Sequence, residues 1–197
     1  FGTWSLTAAT HELKLVFNEA AVTLSNVSGN VNISSSFDLQ EMENKTKVDI
    51  TFVVNGEYVV TIPVKLAPQG VTNPVAKSGD AGINATKVTW TVDVNKTLEP
   101  LTGATVTDTL GAGQKLLSDS IQIYELHVSL DGKSVTPGNN VTGSYASQIS
   151  ASDGGFTLNL GTIDTAYRIV YVAEISDPSA TSLSNTASLG DATATAN

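Results

Sequence analysis

Apolar and polar residues alternate with a period of two along most of this chain, the pattern of strands with one face in a core and the other in water. Leu13, Leu15 and Phe17 alternate with Lys14 and Val16. Val31, Ile33, Ser35 and Phe37 share one face, and Val48, Ile50, Phe52 and Val54 share another. Asn55-Gly56 then predicts a type I′ hairpin turn, because both residues tolerate positive φ, and Tyr58, Val60, Ile62 and Val64 form the returning strand. Pro63 inside that strand predicts an edge or a bulge. Val88, Trp90, Val92 and Val94 make the cleanest inward row, and further strands follow at 105–110, 121–130, 156–160, 168–175 and 185–189. Gly111-Ala-Gly113, Asp131-Gly132, Pro137-Gly138 and Asp153-Gly154-Gly155 read as the turns between them. Short strands at this spacing predict an all-β, immunoglobulin-like sandwich.

The pattern divides unevenly. Residues 67–76 (APQGVTNPVA) break the alternation with two prolines and a glycine and read as a linker. Residues 77–197 leave room for a complete sandwich, which takes roughly 100 residues. Residues 1–66 hold four or five strands, about half of one, and are read as the C-terminal half of a first sandwich. Such a half leaves edges and an apolar face uncovered, so its missing strands are expected from a preceding segment or from a second chain. A basic-then-apolar leader and a wall-sorting tail are both lacking, and the sequence is expected to be a piece of something longer.

Composition narrows the chemistry. Charged residues are only 15% of the chain, the net charge is −9, and no basic stripe exists, which argues against nucleic acid. The absence of cysteine removes disulfides, thiol nucleophiles and thiolate metal sites together. His11 and His127 are the only histidines, too few for a multi-histidine metal centre. Asp38, Glu41 and Glu43 lack the spacing of a calcium loop and read as a solvated turn. No cofactor or metal is expected, and no apolar run approaches the ~20 residues of a membrane span.

Three polar residues face the wrong way. Asp108 shares its face with Val106 and Leu110, while Thr105, Thr107 and Thr109 face water. Asn185 shares its face with Ala187 and Leu189, and Lys77 alternates with Val75. Each is bland by itself: a snorkelling lysine, a turn cap, an edge asparagine. Their shared parity, at the first, an early and the last strand of one domain, points to a common buried site. Burial disfavours both charges, leaving a neutral, nucleophilic amine and a neutral acid. The amine can attack the Asn185 side-chain carbonyl while the Asp108 carboxyl hydrogen-bonds to that oxygen and shuttles protons. Ammonia leaves, and a Lys77–Asn185 isopeptide bond ties the first strand to the last. This is a single-turnover maturation with Asp108 as its catalyst, and a turnover enzyme fits the composition poorly.

The same residues carry a resemblance. Lys77-Ser-Gly-Asp80, Lys87-Val-Thr-Trp90-Thr-Val-Asp-Val-Asn95, Thr105-Val-Thr-Asp108-Thr-Leu110 and Ser184-Asn185-Thr-Ala187 resemble the second ligand-binding sandwich of Gram-positive collagen adhesins. Leu13-Lys-Leu-Val-Phe17-Asn18, with Leu24-Ser-Asn-Val-Ser-Gly29, is similar to the latter half of the first sandwich in those proteins. The resemblance implies a wall-anchored, extracellular surface protein whose two variant immunoglobulin-like sandwiches clasp collagen between them. It also maps the crosslinking lysine, catalytic aspartate and asparagine onto Lys77, Asp108 and Asn185. The partner is then an extracellular-matrix protein, collagen first. The competing reading is a stalk or pilus-like spacer with the same crosslink and no ligand. Ligand contacts stay unassigned, with Trp4, Trp90 and Tyr171 as candidate aromatics and Trp90 expected inward by parity. Six Asn-x-Ser/Thr sequons (Asn26, Asn32, Asn44, Asn84, Asn95, Asn140) are expected by chance in so Asn- and Thr-rich a chain.

Overall fold

The computed structural model describes residues 67–197 throughout and, ahead of them, the backbone of four strands. The chain forms two units, Phe1–Leu66 and Ala67–Asn197. In the first, β1 (Thr3–Thr7) pairs antiparallel with β2 (Glu12–Val16), and β3 (Lys47–Val54) with β4 (Tyr58–Lys65). The β3–β4 register runs unbroken from Lys47 opposite Lys65 to Val54 opposite Tyr58. Pro63 stands opposite Asp49 with no bulge. Among the described strands β4 has no second partner, and an edge is where a missing N–H is tolerated. The expected strand around 31–37, the Asn55-Gly56 turn and the Asp38, Glu41 and Glu43 cluster lie outside the described residues, as does the Trp4 side chain.

The second unit is an antiparallel sandwich of two sheets. One sheet runs β10 (Val135–Asn140), β9 (Gln122–Val128), β13 (Ala166–Ile175), β6 (Lys87–Val94) and β5 (Ala76–Asp80), with the short β8 (Gln114–Leu116) also on β13. The other runs β11 (Ile149–Ser152), β12 (Gly155–Ile163), β7 (Leu101–Leu110), β14 (Asn185–Leu189) and β15 (Ala192–Ala196). A single helical turn, α1 (Thr142–Tyr145), follows β10.

Period-two patterning decides which side chains fill the space between the sheets. Val88, Trp90, Val92 and Val94 of β6 and Ile169, Tyr171 and Ala173 of β13 come from one side; Val106 and Leu110, Phe156, Leu158 and Leu160, and Ala187 and Leu189 come from the other. Each large apolar side chain buried this way is worth roughly 1.5–3 kcal/mol relative to exposure, which is what holds two sheets together without a disulfide. A smaller cluster of Leu98, Leu126, Val128 and Ala166 forms a separate core. Asn95 fixes the loop beside it: φ is +54° there and +55° at Leu98, and its side-chain amide donates to the Glu99 and Thr165 carbonyls. Asn95 is fully buried, so this sequon offers no surface for a glycan.

Two expectations change. The stretch 67–76, read as a linker, lies within the second unit: the Gln69 N–H donates to the Leu130 carbonyl, the Lys96 N–H to the Pro74 carbonyl, and Val75 is buried. Its prolines break the strand alternation, but its backbone still finds partners. Pro137-Gly138, read as a turn, lies inside β10. That strand is the sheet edge, and its register against β9 shifts between Pro137 and Asn140, the local irregularity that accommodates a proline.

Candidate functional site

Lys77, Asp108 and Asn185 meet inside the second unit, and a fourth residue joins them. Asp108 lies opposite Ala187 in the β7–β14 ladder and Asn185 opposite Leu110, so Asp108 and Asn185 are diagonal neighbours on the inner face of one sheet. Lys77 reaches them from the other sheet, where it stands opposite Val92 at the β5 edge. The Lys77 and Asp108 side chains are both 0% exposed, and Nζ lies 2.5 Å from Asp108 Oδ2. Nζ also donates to the Tyr171 hydroxyl at 2.8 Å, and the Asn185 Nδ2 donates to that same hydroxyl at 2.6 Å. Tyr171 thus bridges the amine and the amide.

Aromatic rings wall the site. Lys77 Nζ sits 5.4 Å from the Trp90 ring centroid and 5.3 Å from that of Tyr171, close enough for cation–π attraction while the amine is charged. Phe156, directly opposite Asp108 on β12, meets Tyr171 edge-on at 5.1 Å. Gly79 is required beside Lys77, because a Cβ there would stand 2.4 Å from the Trp90 ring. Gln114 braces the far side: its Oε1 accepts from the Trp90 indole N–H, and its Nε2 donates to the carbonyl of Ser184, next to Asn185. Gly111 approaches the same carbonyl and donates its N–H to it.

The electrostatics follow from this dryness. Burial is the largest influence on Lys77 and lowers its pKa from the ordinary 10.5, although the charge and hydrogen bond of Asp108 pull upward. The Tyr171 phenol is pushed well above its ordinary value, first by burial, then by the Asp108 charge and hydrogen bond, with Asn185 opposing. Among the described residues, two buried side-chain oxygens have no hydrogen-bond partner, Asp108 Oδ1 and Asn185 Oδ1. A proton on the first would make it a donor, and the second is a carbonyl oxygen without one. Leaving such atoms unsatisfied costs about 1–3 kcal/mol each.

Sequence parity placed Lys77, Asp108 and Asn185 together but missed Tyr171 and the final strand. Tyr171, considered as an exposed ligand contact, is 0% exposed and belongs to this cluster. Asn185 lies on the penultimate strand, since β15 follows it at the edge. Trp90 is inward as expected, at 1% exposure. Among the described residues no group of three or more His, Asp and Glu side chains converges to hold a metal, and no helix is long and apolar enough to cross a membrane.

The family model for the collagen binding domain matches residues 72–197, well over half of the chain. The chain belongs to the collagen-binding domain family. The solved structures similar to it include a collagen-binding domain from a Staphylococcus aureus adhesin, 17% identical over 59% of this chain and 83% of that one, with a TM-score of 0.44. The collagen binding subdomain of the Enterococcus faecalis surface protein ACE is 17% identical over 63% of this chain and 96% of its own, with a TM-score of 0.45. The collagen binding domain of Erysipelothrix rhusiopathiae surface protein RspB is 16% identical over 75% and 49%, with a TM-score of 0.46. A search of curated proteins finds no match. Within the collagen-binding domain, the match starts in the docked lead-in and takes in every residue of the buried cluster.

Proposed function

We propose that this chain is part of an extracellular bacterial surface adhesin that binds an extracellular-matrix protein, collagen first, and that its second unit is stabilised by an autocatalytic Lys77–Asn185 isopeptide bond. The collagen-binding domain match across 72–197 supports the ligand class. The crosslink rests on one observation: a lysine amine, a carboxyl and a side-chain amide share a dry site whose burial favours the neutral amine. Asp108 takes up the amine through Oδ2. Protonated on its free Oδ1, it can polarise the Asn185 carbonyl, and the new Lys77 N–Cγ bond forms as the amide nitrogen leaves as ammonia. The protein supplies every group needed, and the parent chain is expected to be anchored to the cell wall. Residues 1–66 are proposed as the latter half of a first sandwich, completed by strands from a preceding segment or a partner chain.

Two measurements test this. The intact mass of the purified chain is expected to fall short of its sequence mass by one ammonia, and Asp108→Ala is expected to restore the full mass in a folded but less heat-stable domain. A mass deficit that survives in Asp108→Ala would remove Asp108 as catalyst. Saturable binding to immobilised triple-helical collagen is expected. Its absence, with the crosslink present, would favour a spacer role.

A further inference from the structure

We infer that the Tyr171 hydroxyl is the proton bridge of the crosslinking reaction, taking a proton from the Lys77 amine while giving its own to the departing Asn185 nitrogen. The inference rests on the crosslink reading above and adds a catalytic residue to it.

Proton balance shows why a bridge is needed. A neutral lysine amine and a primary amide become a secondary amide and ammonia. The N–C bond forms at Asn185 Cγ, the Cγ–Nδ2 bond breaks, and one proton moves in net from Nζ to Nδ2. Those two nitrogens share one neighbour in the site. The Tyr171 oxygen is 2.8 Å from Nζ and 2.6 Å from Nδ2, both within direct proton-transfer reach. Asp108 Oδ2 touches Nζ, but among the described residues the Asn185 amide nitrogen donates only to Tyr171. Asp108 therefore serves the amine and the carbonyl oxygen, and Tyr171 serves the leaving nitrogen.

The hydroxyl also has no other evident reason to be there. Tyr171 lies in the inward row between Ile169 and Ala173, where a phenylalanine would satisfy the packing. Burying a phenol hydroxyl is costly unless it is hydrogen-bonded, and the side chains bonded to this one all belong to the crosslink. Held far from ionisation, the phenol keeps its proton and can donate and accept together. A relay returns it unchanged, as a group acting once in each molecule requires.

The test is a timed reaction in the whole chain. Protein made in a short cell-free pulse is quenched in acid at intervals, and intact mass gives the fraction lacking one ammonia. Wild type is expected to convert fully, and Tyr171→Phe to fold but convert roughly 10²-fold more slowly, the usual scale for a lost general acid–base. Fluorotyrosine at 171, which keeps the hydroxyl but makes it more acidic, is expected to change the rate while leaving the fold intact. A purely packing role would leave it unmoved. A Tyr171→Phe protein that crosslinks at the wild-type rate overturns the relay while leaving the crosslink standing. No ammonia loss in wild type overturns both. Should Tyr171→Phe not fold, the fluorotyrosine protein decides, and an unchanged rate there counts against the relay.

Discussion

The second unit contains two ion pairs between strands, and they differ in what surrounds them. Arg168 and Asp93 stand opposite each other on β13 and β6, joined through Nε–Oδ1 at 2.7 Å and Nη2–Oδ2 at 2.8 Å. Both carboxylate oxygens are engaged, the Arg168 side chain is 22% exposed, and the pairing raises the Arg168 pKa further. Lys77 and Asp108 span the two sheets instead, are wholly dry, and leave Asp108 Oδ1 without a partner. The first pair is complete and therefore inert, a bidentate clasp with nothing left to react. The second has its desolvation cost only partly offset, and the lysine answers by losing affinity for its proton. Satisfied geometry means structure here. Unsatisfied geometry, with an amide alongside, is where the proposed crosslink would form.

Breaking the inner pair should have the largest effect. Lys77→Met removes the proposed nucleophile and leaves the buried Asp108 carboxyl without its partner, at about 1–3 kcal/mol for an unsatisfied buried group. The lost covalent tie adds on the order of 4 kcal/mol, by analogy with a disulfide closing a loop of this length. A fall in Tm of well over 15 °C and a full sequence mass are expected, read by calorimetry and mass spectrometry. Lys77→Met with Asp108→Leu should regain most of the stranded-carboxyl cost but none of the crosslink. A double variant no more stable than Lys77→Met would show that charge burial is not the issue.

A subtler contrast concerns pH. Asn185→Ala cannot crosslink yet keeps the Lys77–Asp108 pair. Because folding lowers the Lys77 pKa below its ordinary 10.5, the unfolded chain holds more protons between those two values. Stability of this variant should therefore rise as pH climbs through that window, with a slope of at most about 1.4 kcal/mol per pH unit. Arg168 stays charged throughout the window, so its pair contributes no slope. Denaturant midpoints across the alkaline range check the sign, and a fall would contradict it. The smallest effect is expected from Arg168→Met, about 1 kcal/mol for a partly exposed pair, with the ammonia deficit fully retained. Loss of the deficit in that variant would mean that the two pairs are coupled.

What the sequence made readable, and what it hid, follows from burial. In β7 the inward row Ala104, Val106, Asp108 and Leu110 alternates with exposed threonines, so a carboxylate out of place is plain. In β13 both faces are apolar: Val170 and Val172 are half-buried opposite the buried Ile169, Tyr171 and Ala173. Parity is silent there, and the polar tip of Tyr171 suggested a surface. Of the strands the pattern missed, β10, β11 and β15 lie at sheet edges, where half-burial blurs alternation, and β15 is built only of alanine and threonine. Gln114 was invisible for another reason. Its role lies in two hydrogen bonds to residues far along the chain, which no local pattern encodes.

The reacting groups stand at positions 77, 108, 171 and 185, drawn from four strands and both sheets. No partly formed hairpin can gather them. The proposed bond could thus arise only once the whole unit has taken shape, and a molecule that went astray on the way would keep its ammonia. With the proposed crosslink, each finished chain would carry in its mass a permanent certificate that it once folded correctly.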